Sequence, residues 1–257
     1  MTYRLPDRLT MKRAYRRYLE GAYEPRSRRK DALRLLIHLG RVARAGDRTV
    51  WQQLSDHQDG TLTGVLIKKA LRRYLLTEQG HRCCYCQRWL MHIAHACPIE
   101  HVLPRSAYPQ FTVQFWNLAL ACYDCNQLKK TAVWGSHAQT RLDYLQPAQA
   151  LDFFHPRYHH FDEHVRFFRI ETNHACFTAF SGITEQGKHL CTELLYKVAG
   201  KETLCRSTPA LAGLFATLEA FQGPGEVLQR PELDAFRAEL DTAIIDRLND
   251  GARTQML

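Results

Sequence analysis

The chain has 257 residues, 45% of them hydrophobic, which excludes a wholly disordered polypeptide and predicts one large domain or two small ones. No apolar run approaches the ~18 residues of a membrane helix, and Met1-Thr2-Tyr3-Arg4-Leu5-Pro6 lacks the apolar stretch of a secretory signal, so a cytoplasmic protein that spans no membrane is expected. The net charge is +9, and residues 1–50 alone hold 14 basic and 5 acidic side chains, a crowding that points to an acidic partner, most often nucleic acid.

Residues 9–22 read as an amphipathic helix, with Met11, Tyr15, Tyr18 and Leu19 on one side and Lys12, Arg13, Arg16 and Arg17 on the other. Residues 29–44 repeat the pattern around Ala32, Leu35, Leu36, Leu39, Val42 and Ala43. A third helix is expected over 62–78, with Val65, Leu66, Ala70, Leu71, Tyr74 and Leu75 inward. Its Lys68, Lys69, Arg72 and Arg73 lie mainly outward, and Gly80 ends it, placing Cys83 in the turn beyond. Residues 98–103 and 117–121 are short apolar runs able to pair as strands, and 123–132 reads as a short helix. His155, His159, His160 and His164 are dense but irregularly spaced and read as a polar surface loop. Residues 166–170 and 175–180 alternate around Thr172-Asn173-His174 as a β-hairpin. Helices near 185–198, 208–221 and 231–249 close the chain, the last striped with Leu233, Phe236, Leu240, Ile244 and Leu248.

Six of the nine cysteines fall between 83 and 125. An odd count without a secretory signal argues against a disulfide framework. Cys83-x-x-Cys86 and Cys122-x-x-Cys125 instead predict a four-thiolate Zn²⁺ site that staples a segment too small to bury a core of its own. Cys84 competes with Cys83 as the partner of Cys86, and Cys97 is a reserve ligand. Cys176, Cys191 and Cys205 are isolated and read as ordinary thiols.

Between the knuckles stand Glu100-His101, Asn117 and, directly after Cys125, Asn126. A carboxylate before a histidine can serve one site if both lie at a strand end or bulge. A neutral imidazole deprotonates water, and a carboxylate holds a hard divalent cation, to which the Asn126 amide oxygen could add a second ligand.

The run C-x-x-C, Glu-His-Val-Leu-Pro, Asn-Leu-Ala-Leu and Cys-Asn-x-x-Lys resembles the HNH endonuclease family, the His-Me finger or ββα-metal fold, over about residues 78–132. The resemblance implies His101 as general base and Glu100 with Asn126 as holders of one Mg²⁺ or Mn²⁺ ion. It implies Asn117 as the residue that fixes the strand and the His101 loop, and Lys129, Lys130 and, more weakly, Arg105 as phosphate contacts. Glu100 stands where Asp is commoner in the family, and Asn126 where some members have His. Such sites need little base recognition, so Arg13, Arg16, Arg17, Arg28 and Arg29 of the basic helices are expected to hold DNA, with RNA as the alternative.

The expected architecture is α+β and mainly helical. It comprises a basic helical arm (1–77), a zinc-stapled ββα unit (78–135) and an accessory region with a small β-hairpin (136–257). This layout also resembles stand-alone HNH proteins of bacterial anti-phage defence, of the Septu type and some retron types, in which the HNH protein pairs with an ATPase; restriction and mobile-element HNH enzymes share the motif. The expected function is metal-dependent hydrolysis of DNA phosphodiester bonds within a defence or restriction complex. The alternatives are a zinc-stapled nucleic-acid-binding or scaffold protein without catalysis, and an auto-inhibited nuclease that needs its partner ATPase.

Overall fold

A computed structural model describes residues 5–23, 26–60, 62–91, 97–171, 176–207 and 213. The expected hairpin turn Thr172-Asn173-His174 and the expected helices at 208–221 (Gly213 apart) and 231–249 lie outside them. The fold is α+β. Helices α1 (Arg8–Ala22), α2 (Arg26–Arg44), α3 (Val50–Asp56) and α4 (Gly64–Glu78) come first, with strands β1 (Gln58–Asp59) and β2 (Leu62–Thr63) between the last two. Strand β3 (Ile99–His101) pairs antiparallel with β4 (Leu118–Leu120), which leads into helix α5 (Tyr123–Lys129). A short helix α6 (Phe161–His164) precedes the hairpin of β5 (Val165–Glu171) and β6 (Cys176–Gly182). Helix α7 (Glu185–Leu190), a π turn (Cys191–Leu195) and helix α8 (Tyr196–Ser207) then run on as one rod. No helix among the described residues is long and apolar enough to cross a membrane.

Local chemistry sets these boundaries. Asp7 caps α1 by accepting from the Thr10 N–H at 2.7 Å. Thr63 caps α4 by accepting from the Leu66 N–H at 3.2 Å, so the helix starts at Gly64 and leaves Leu62 and Thr63 to pair with β1. Its buried stripe is Ile67, Ala70, Leu71 and Leu75, whereas Val65, expected inward, is 65% exposed. Helix α5 stops at Lys129 because Lys130 takes a positive φ of 47°. The rod that begins at Glu185 passes 198 and ends at Ser207, the π turn absorbing one residue of register.

One apolar core extends from Met11 to Val198. Phe115 is its hinge. Tyr18 stacks on it with ring centroids 5.3 Å apart, and Tyr15 and Tyr74 lie at 5.1 and 5.8 Å. The Arg157 guanidinium sits 4.9 Å from the Phe115 ring and 4.8 Å from that of Trp116. The basic arm and the segment after residue 136 thus both grip the short run that precedes β4.

Helices α3 and α4 meet backbone to backbone at Gly64, where a Cβ would lie 1.5 Å from the Leu54 carbonyl oxygen. Only hydrogen fits there. Gly64→Ala is expected to cost about 2–3 kcal/mol through this clash, lowering the thermal midpoint by roughly 5 °C or more. Differential scanning calorimetry reads it, and an unchanged midpoint contradicts the close approach.

Candidate metal centre and active site

The sulfurs of Cys83, Cys86, Cys122 and Cys125 all lie within 4.8 Å of one another, and all four residues are buried. Cys86 Sγ and Cys122 Sγ are 3.7 Å apart, close to the edge of about 3.8 Å that a tetrahedron with Zn–S bonds of ~2.3 Å requires. The Cys122 N–H donates to Cys83 Sγ at 3.2 Å, and the Cys125 N–H to Cys122 Sγ at 3.5 Å, as thiolate acceptors invite. Burial resists ionisation of Cys83, but hydrogen bonds from Cys122 and Cys125 outweigh it and hold the thiol well below its usual range. These four cysteines can bind one zinc ion. The choice left open at the first knuckle is settled for Cys83. Cys84 is buried beside the group and spends its N–H on the Leu120 carbonyl at 2.9 Å, while Cys97 Sγ faces the Leu90 carbonyl at 3.7 Å. Among the described residues no other three His, Cys, Asp or Glu side chains gather in this way.

Ion pairs tie the knuckle to its surroundings. Arg88 meets Asp124 at 2.5 Å and Glu202 at 3.8 Å, Arg169 meets Glu202 at 2.6 Å, and Lys201 reaches Asp124 at 3.4 Å. The second knuckle, β5 and α8 therefore share one partly buried charge network.

Strand register places Glu100 opposite Ala119 and His101 opposite Leu118. Consecutive side chains leave opposite faces of a strand, so Glu100 and His101 do not project side by side. Glu100, 2% exposed, points to α5. Its Oε2 accepts from Asn126 Nδ2 at 2.6 Å, and its Oε1 is 2.7 Å from Lys129 Nζ, with Tyr85 OH at 3.4 Å. Lys129 also donates to the His101 carbonyl at 3.2 Å and lies 5.1 Å over the Trp134 ring. The two lysines expected at phosphate therefore part company: Lys130 is exposed, and Lys129 is 2% exposed and closed onto Glu100. Glu100 and Asn126 offer the oxygen donors that suit a hard cation. A cation held by both requires the Asn126 amide to turn and the Lys129 ammonium to withdraw.

His101 faces the loop that follows it. Its Nε2 is 3.0 Å from the Thr112 carbonyl oxygen, which can only accept. The proton is therefore on Nε2, and Nδ1 carries a lone pair that no described residue engages. The Trp51 ring stands edge-on at 4.7 Å. Burial lowers the imidazole to about 3 against the Thr112 hydrogen bond, and Arg105, Lys129 and Lys68 push the same way as burial, so the ring is neutral at ordinary pH.

Asn117 fixes that loop. Its Oδ1 accepts from the Leu103 N–H at 2.7 Å, and its Nδ2 donates to the Leu103 and Phe111 carbonyls at 3.0 Å each. Phe111 precedes Thr112, so Asn117 also sets the carbonyl that orients His101. Behind it runs a hydrogen-bond chain with one possible polarity. The Arg157 N–H donates to His155 Nδ1 at 3.2 Å, which leaves the proton on His155 Nε2 for Tyr144 OH at 2.8 Å. Tyr144 OH then donates to Asn117 Oδ1 at 3.1 Å. His155, His159 and His164 are buried, 0%, 8% and 0% exposed, and only His160 is exposed. The expected polar surface loop is instead a packed corner, because Phe153, Phe154, Tyr158 and Phe161 bury the segment that carries it.

The expected nucleic-acid residues are spread out. Arg13 and Arg105 are exposed, and Arg28 and Arg29 are half-buried on α2. Arg16 pairs with Glu20 at 2.8 Å and Arg17 with Glu78 at 3.4 Å. Trp51, Lys68, Tyr144 and His155 were not expected at the site. The aromatic density around His155 is the one sequence signal that marked any of them.

One zinc per chain is expected by elemental analysis, with Cys86→Ser losing it and the thermal midpoint falling with it; a zinc-free wild type that melts unchanged contradicts the assignment. A second expectation concerns pH. Burial lowers His159 from 6.5 to about 4, and His155 well below 6.5. Below pH 6.5 the unfolded chain binds protons that the folded chain refuses, so stability is level above 6.5 and falls toward pH 4. Each such histidine contributes up to about 1.4 kcal/mol per pH unit. Urea midpoints across this range measure it, and the slope should shrink in His159→Asn.

Compared with known proteins, the chain matches no family model and no solved structure. It is similar to the Septu protein PtuB of Bacillus thuringiensis, at 33% identity over 64 residues that make up 25% of this chain and 25% of that protein. The chain thus spans about a quarter of the length of the curated relative it matches.

Proposed function

We propose that this chain is a metal-dependent endonuclease of the HNH kind that hydrolyses phosphodiester bonds in DNA and acts in anti-phage defence. The observation that carries this reading is the pairing of a buried Glu100–Asn126 contact with a neighbouring histidine whose free nitrogen is fixed as Nδ1. Both sit on a ββα segment closed at its ends by four cysteines. Similarity to a Septu protein supports the defence setting and a defence-system partner, which in this reading is an ATPase or another subunit of that system. In this reading residues 1–77 form a binding arm, 78–135 the nuclease unit and 136–257 an accessory region.

His101 Nδ1 takes a proton from water as the water oxygen attacks phosphorus. The bond from phosphorus to the 3′ oxygen breaks in line, and the leaving oxygen is protonated from solvent. Asn117 keeps the Thr112 carbonyl on Nε2, so the acceptor nitrogen stays the same one throughout. A Mg²⁺ or Mn²⁺ ion held by Glu100 and Asn126 would neutralise charge at the phosphate and at the leaving oxygen. Lys130 and Arg105 are exposed cations of this segment available to the backbone.

Plasmid incubated with the full chain and Mg²⁺ or Mn²⁺ is expected to be nicked or linearised. His101→Ala should slow cutting by about 10²–10⁴-fold. Undiminished cutting by His101→Ala overturns the reading. The Lys129–Glu100 pair favours a second version, a nuclease held closed until a partner engages it. In that version the chain alone is silent, and adding its partner subunit restores His101-dependent cutting.

A further inference from the structure

Lys68 departs from the outward position its helix predicts. It is half-buried, its ammonium lies 4.4 Å over the Trp51 ring, and it donates to Ser55 Oγ. Trp51 in turn stands 4.7 Å from the His101 ring. One aromatic ring therefore separates this ammonium from the imidazole. Arg72, one turn along α4, and Arg105, four residues after His101, press on Lys68 electrostatically, and both Arg105 and Lys68 press on His101.

Three cations share this corner, and among the described residues none of them forms an ion pair with a carboxylate. The one acidic group Lys68 feels is Asp56, whose oxygens are already held by Gln52 at 2.9 and 3.0 Å. Burial and the two arginines bring the Lys68 ammonium down to about 8, a cost that an arriving anion would relieve. Trp51 orients the ammonium without neutralising it. By contrast Arg16 and Arg17 of α1 already have carboxylate partners.

We propose that Lys68 and Arg105, with Arg72 beside them, form a phosphate-binding site that holds a nucleic-acid backbone against the His101 side of the centre. The choice of nucleic acid as ligand rests on the nuclease reading; the anion site rests on the unpaired cations and on the place of Lys68 over Trp51, next to His101. The helical arm then supplies part of the centre as well as a docking surface.

The test is binding of a short fluorescent DNA duplex to the full chain without added divalent metal, followed by anisotropy across a salt series. Lys68→Gln and Arg105→Gln should each weaken binding several-fold and each flatten the slope of log Kd against log salt by about 1. Lys68→Arg should keep the slope, and Lys188→Gln, a solvent-facing change on α7 outside the arm, should leave both readings unchanged. Arg105 is exposed, so its variant reads the site even if Lys68→Gln perturbs packing. Unchanged affinity and slope in both variants, an equal loss in Lys188→Gln, or no duplex binding by wild type overturns the proposal. If the variants lose binding but no form of the chain cuts with any divalent metal, with or without its partner subunit, the nuclease reading fails and the phosphate site stands. If wild type cuts and Lys68→Gln cuts with an unchanged KM, the phosphate site fails and the nuclease reading stands.

Discussion

A ladder of three residue pairs cannot hold two side chains still by itself. Strand β3, paired with β4, carries both Glu100 and His101, and most of the surrounding structure serves to fix them. The four cysteines gather the turn before β3 and the helix after β4 into one cluster. Cys84 donates to the Leu120 carbonyl, so the first knuckle is also laced to β4. Gln79, at the end of α4, completes the edge: its amide donates to the Leu120 carbonyl at 2.9 Å and accepts from the Leu120 N–H at 2.8 Å. One side chain thus does there what a neighbouring strand would do.

The two halves of the centre are held by different physics. Glu100 sits in a buried ion pair with Lys129, an arrangement that tolerates loss of neither partner alone. His101 sits in a neutral network, where carbonyls, an amide, a phenol and a second imidazole fix direction without net charge. Polar networks of this kind rigidify only when every member is satisfied, and here each donor on the path from the Arg157 backbone N–H to the Leu103 backbone has its acceptor. The segment after residue 136 therefore supports the His101 loop from behind, while the arm walls it from the front with Trp51.

The cysteine knuckles, the pairing of 98–103 with 117–121 and the long amphipathic helices were legible because each repeats a spacing that geometry imposes. Helix α3 was not: seven residues, Val50–Asp56, are too short to display a period. The face of α4 was misjudged at Val65 because its inward stripe is fixed by Ile67, whose burial depends on where Thr63 starts the helix. Lys129 reads as a surface cation until its partner Glu100, distant in sequence, is known. His155 looks polar by type and is core by position, and nothing local in the sequence links it through Tyr144 to Asn117. Residue type and spacing reveal a centre's ligands; the second layer around it depends on long-range packing that neither encodes.

The grip on Phe115 has a consequence in time. Tyr18 and Tyr74 hold that ring from residues far earlier in the chain, and synthesis delivers them first. Contacts between such distant residues form late, because the intervening loop must close before they repay it. A growing chain therefore presents its cationic arm well before Phe115 arrives to bring Asn117 and β4 into place. That step also assembles the centre, so an unfinished chain carries the charge of its arm before Glu100 and His101 are fixed in place.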